Sequence, residues 1–107
     1  MIPEKTIEEL ILKHSTLEKD LSSGGLDKKL FAEKSKEYSD VNEIIENAKN
    51  YISFDNDKKE IEKILEDSDG DEELKSMAEL ELMELQSQNE INEKKLKLFL
   101  LPKDEAD

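Results

Sequence analysis

Apolar residues recur at helical spacing along nearly the whole chain. Ile7, Leu10, His14, Leu17 and Leu21 advance by steps of 3, 4, 3 and 4, the spacing of a heptad seam, and Ile11 widens the stripe. This predicts a first helix over about 3–22. Pro3 suits its opening turn, where a missing N–H costs no intrahelical bond. Thr6 followed by Glu9 offers a capping box that would start the helix slightly later. Gly24-Gly25 provide left-handed backbone to end it.

A second helix is predicted over 27–66. Asp27 is a good N-cap ahead of Lys28. Leu30, Tyr38, Val41, Ile45, Ala48 and Ile52 share one stripe, with Lys34 filling its gap. Beyond Ile52 the register drifts onto a displaced seam of Tyr51, Phe54, Lys58, Ile61 and Leu65, a shift that alters local supercoiling without ending a helix. Ser53-Phe54-Asp55-Asn56-Asp57 is the candidate break, because Ser, Asp and Asn favour caps and turns. One long helix of roughly 60 Å is the favoured reading. Asp67-Ser68-Asp69-Gly70-Asp71 is the clearest turn.

The third helix is predicted over 71–100. Its stripe is Leu74, Ala78, Leu82 and Leu85, then Asn89 and Asn92, then Leu96 and Phe99. Early acids and late lysines complement the helix dipole, and Pro102 closes the segment. The two asparagines leave two readings open. They are polar register markers within the seam, or the helix rotates there to bury Met83, Ile91 and Leu98. Short connections imply antiparallel packing. The expected fold is all-α: an antiparallel helical bundle of three helices with a long coiled-coil hairpin, forming a single helical domain over 1–107.

Composition agrees with long helices, since Ala, Glu, Lys and Leu make up about half of the 107 residues. Net charge is −13 and unevenly spread: residues 1–53 hold 8 Lys and 11 acids, residues 54–107 hold 8 Lys and 18 acids. Affinity for phosphate backbones comes from clustered Lys and Arg, so the balance argues against direct nucleic-acid binding. No apolar run approaches the ~20 residues of a membrane span, and the opening MIPEKTIEEL is acidic where a signal peptide would be basic. The absence of Cys excludes disulfides and thiolate sites. A cytoplasmic location is expected.

Catalytic motifs are hard to place. With Gly70 at position 6 of a calcium loop, positions 1 and 12 fall on Leu65 and Ser76, so the loop reads as a turn. His14 is the lone histidine and lies on an apolar seam, which removes His-based triads and metal sites. No Gly-rich phosphate loop fits. No catalytic residue, metal or cofactor is therefore expected. Lys28, Lys29, Lys34 and Lys36 form the one basic cluster, a candidate partner contact that lacks the bidentate fork of Arg.

Two stretches are more specific. LFAEKSKEYSDVNEII (Leu30–Ile45), and EELKSMAELELMELQ (Glu72–Gln86) running on into KLKLFLLPKDEAD (Lys95–Asp107), resemble the N-terminal helical domain of bacterial class-I peptide chain release factors. The ending Leu100-Leu101-Pro102-Lys103-Asp104 is similar to the release factor 1 type. Members of that family read stop codons through Pro-x-Thr and trigger peptidyl-tRNA hydrolysis through Gly-Gly-Gln. Here Gly24-Gly25 is followed by Leu26, and neither proline begins Pro-x-Thr. The resemblance therefore implies a non-catalytic piece of a longer factor that docks on the ribosome, toward the large-subunit stalk-base protein. Self-association through an exposed seam is a further expectation. The competing reading is a stand-alone coiled-coil adaptor or chaperone-like helical protein that shares only helical texture. The total absence of Arg beside 16 Lys departs from the family pattern.

Overall fold

The computed structural model describes residues 1–102, so the Lys103-Asp104 end of the resemblance lies outside it. Three helices follow one another: α1 (Glu4–Ser22), α2 (Lys28–Asp67) and α3 (Glu72–Leu100). α2 packs against both of the others. The body is elongated, 64 × 33 × 20 Å.

Local chemistry sets the helix limits. Asp27 Oδ1 accepts from the Leu30 N–H at 2.8 Å, and Asp71 Oδ1 accepts from the Leu74 N–H at 3.0 Å, so each long helix opens on a side-chain cap. α1 opens on Pro3 without a side-chain cap. Its entry is fixed by a hydrophobic staple: Ile2, just outside the helix, and Ile7, in its second turn, are buried in one cluster. The Thr6–Glu9 alternative is not adopted. Gly24 (φ 71°) and Gly70 (φ 87°) take the left-handed backbone that follows α1 and reverses the chain between α2 and α3. Ser68 is buried in that second turn, its hydroxyl donating to the Leu65 carbonyl at 2.8 Å.

The main core collects Ile2, Ile7, Leu10 and Leu17 with Val41, Ile44, Ala48 and Leu96. It lies where all three helices run together. Beyond it α2 and α3 continue as a two-helix arm, where Ile61 and Ala78 are buried but Leu65, Leu82 and Leu85 only half-buried. α2 crosses Ser53–Asp57 unbroken. The Ser53 hydroxyl donates within the helix, to the Asn50 carbonyl and the Asp57 carboxylate, and does not cap or end it. Asn89 and Asn92 stay in the α2–α3 seam, while Met83, Ile91 and Leu98 are exposed, so the rotated alternative is not adopted.

Candidate docking surface

The four lysines singled out by sequence separate into two groups. Lys34 turns toward α1 and forms an ion pair with Asp20. Lys28, Lys29 and Lys36 remain exposed at the start of α2. Lys29 and Lys36 stand seven residues apart, hence on one face. Lys36 does not sit in a purely basic field. It borders a groove of about 540 Å³ with Lys13, Glu33, Glu37, Asp40 and Glu43 on its rim and Leu10, Val41 and Phe99 at its apolar floor. Lys13 pairs with Glu37 across it at 3.0 Å. The surface is thus a mixed-charge corner built from all three helices.

His14 sits beside this corner. Its ring stacks on Tyr38 with centroids 4.9 Å apart, and Nε2 lies 2.8 Å from Asn42 Oδ1. It tethers α1 to α2 as a boundary side chain. Among the described residues, no group of three or more His, Asp or Glu is placed to hold a metal ion.

Two polar constellations join the helices. Asn92 is 2% exposed, and its Oδ1 accepts from Asn47 Nδ2 and Gln88 Nε2, each at 3.0 Å. The seam is thereby keyed by an asparagine whose acceptor is doubly satisfied. The second constellation was not foreseen from the sequence. Glu93 Oε1 receives the N-terminal ammonium at 3.3 Å, Lys97 at 3.6 Å and the Tyr51 hydroxyl at 3.3 Å, while the Ile2 N–H donates to that same hydroxyl at 3.2 Å. The hydrogen bond from the N-terminal ammonium, aided by Lys97 and Tyr51, holds the Glu93 carboxyl below its ordinary value despite some opposing desolvation. The signal was present: Glu93 adjoins a seam position on α3, and Tyr51 faces it from α2.

These features coincide with a family assignment. The family model for the PCRF domain matches residues 10–107. Peptide chain release factor 1 of Pelagibacter ubique (strain HTCC1062) is 68% identical over 107 residues, covering 100% of this chain and 30% of that relative. Peptide chain release factor 1 of Orientia tsutsugamushi (strain Boryong) is 37% identical over 101 residues, 94% of this chain and 28% of the relative. That of Wolbachia pipientis subsp. Culex pipiens (strain wPip) is 38% identical over 106 residues, 97% and 29% respectively. The chain spans under a third of the length of these curated relatives. No solved structure matches it. Covered almost entirely by that family model, the chain belongs to the PCRF domain family, and it is similar along its whole length to bacterial peptide chain release factor 1.

Proposed function

We propose that this chain serves translation termination in the cytoplasm, as a non-catalytic ribosome-interaction domain of a peptide chain release factor. The observation that carries the reading is the 68% identity to a release factor 1 over all 107 residues. The sequence holds neither Gly-Gly-Gln nor Pro-x-Thr. In this reading, codon recognition and hydrolysis fall to other parts of the factor.

The partner is a protein of the large-subunit stalk base. A net charge of −13 repels RNA phosphate and favours a basic protein surface. The corner bearing Lys28, Lys29 and Lys36 is the least repelled part of the molecule and approaches mixed protein and RNA. Exposed charges act over a Debye length of about 8–10 Å at physiological salt, so the domain adds a weak, salt-sensitive contact.

A full-length release factor 1 carrying this chain in place of its equivalent region tests the reading. It should support stop-codon-dependent release, whereas the isolated chain should not. Failure of a folded chimera to release rejects the assignment. Replacing Lys28, Lys29 and Lys36 together with Ala should lower ribosome affinity, more at low salt than at high. Lys34→Ala is made separately, because it also strands Asp20. Unchanged affinity at both salts rejects the lysine corner while leaving the domain assignment standing.

A further inference from the structure

α3 carries a second stripe on the face turned away from its neighbours. Met77 is 64% exposed, Leu80 58%, Ile91 45% and Leu98 65%. These residues belong to a regular seam. Its first half reads Glu73, Met77, Leu80 and Glu84, and its second half reads Ser87, Ile91, Lys94 and Leu98, in steps of 4 and 3 throughout. The first half is acidic and the second basic. A stripe of that polarity is complementary to itself when reversed.

We infer that this stripe pairs with the same stripe of a second copy, antiparallel, about a two-fold axis near residue 89. That rotation sets Leu80 against Leu98 of the second copy, with Met77 beyond them toward the end of the partner helix. Glu84 meets Lys94, and Ser87 meets Ile91. On the flank Glu81 meets Lys95. Apolar faces apolar at Leu80–Leu98 and acid faces base at Glu84–Lys94 and Glu81–Lys95, and two-fold symmetry doubles each pair. Among the described residues of α3, the one like-charge approach is Glu90 with its own counterpart beside the axis. A parallel, in-register pair would instead set Glu84 and Lys94 each against itself within the stripe, while bringing Glu90 toward Lys95 of the second copy on the flank. Unlike charges meeting within the stripe therefore favour the antiparallel direction and this register. The pairing stands apart from any ribosomal role of the chain.

Sedimentation of the chain at up to ~1 mM, a concentration at which even millimolar affinity is visible, measures the pairing directly. The mass should rise from 12.4 kDa toward twice that value. All four charged partners are exposed, so reversing them leaves the fold intact. A chain with Lys94→Glu and Lys95→Glu, and another with Glu81→Lys and Glu84→Lys, should each stay monomeric. Their equimolar mixture should regain the dimer. The cysteine-free sequence allows a second readout. Leu80→Cys and Leu98→Cys chains should be joined by a short thiol cross-linker when mixed, and neither should link to itself, since the two sites lie ~27 Å apart along the helix. Leu12→Glu, equally exposed on α1 (66%), should change nothing. A wild-type monomer at ~1 mM, or self-linking by either single-cysteine chain, overturns the proposal. Glu90→Gln should tighten the pairing by removing the one repulsive contact, and weaker pairing in that variant also counts against the register.

Discussion

The two ends of this molecule are built from the same kinds of residue and differ in how much they enclose. At the base, α1 joins α2 and α3, and eight apolar side chains from Ile2 to Leu96 are buried together. In the arm, α2 and α3 have only each other. Leu82 and Leu85 lie on a regular heptad stripe there yet remain half-buried. A helix pair covers one strip of each surface, and a third helix is needed to close the remaining side. Periodicity specifies which face turns inward, whereas burial depends on how many neighbours stand around that face.

The largest expected effect breaks the base. Leu96 is fully buried among residues of all three helices, so Leu96→Ala should cost about 2–5 kcal/mol. Against a total of about 5–15 kcal/mol this is a large fraction. Urea denaturation followed by helical circular dichroism should show the loss as a lower midpoint in one cooperative transition.

Charge in the arm should cost less. From the sequence alone, Leu82→Asp or Leu85→Asp is expected to unfold the chain. In the structure either carboxylate can turn to water, and the expected loss falls to about 1–3 kcal/mol. Native-state hydrogen exchange sharpens the contrast. Amides of 76–88 should be released ahead of those near Ile7, Ile44 and Leu96, by opening of the arm alone. Equal acceleration across all three helices would show that base and arm unfold as one unit.

Asn92→Ala comes next, at about 1–2 kcal/mol, because it strands the amide of half-buried Asn47, while that of exposed Gln88 turns to water. Double substitution with Asn47→Ala should be less than additive in thermal melts.

The smallest effect is pH-dependent. The Glu93 carboxyl is held below 4.5 in the folded chain, chiefly by the N-terminal ammonium. Its contribution to stability is therefore complete above the ordinary glutamate range. It drains away as pH falls from about 4.5 through the lower folded value. Glu93→Gln should lower the melting temperature at neutral pH, and the difference from wild type should vanish in acid.

Much of this was legible in the sequence because caps and turns are local. Asp27, Asp71, Gly24 and Gly70 each act within a few residues, and observed helix limits lie within one residue of those read from spacing. The middle of α2 was harder. It packs against two partners, so Ile44 and Ile45 are both buried and the apolar positions spread around the helix. A single stripe drawn through Val41, Ile45 and Ala48 therefore leaves out Ile44. α3 was ambiguous for the opposite reason, carrying two regular stripes, one buried and one exposed. The Glu93 constellation is a non-local meeting of three chain segments, and the Lys34–Asp20 pair depends on how α1 folds back. Spacing along the chain carries no information on either.

The unbroken course of α2 through Ser53–Asp57 has a mechanical consequence. Forty residues in one helix make a strut shared by base and arm, with no joint between them. The distal turn therefore cannot swing while the base stays still. From Ser53 to Asp67 the strut extends ~21 Å, so a tilt of the base by ~10° carries the turn through ~4 Å. Whatever seats the base also aims the tip, and a contact felt at the tip returns to the base as torque.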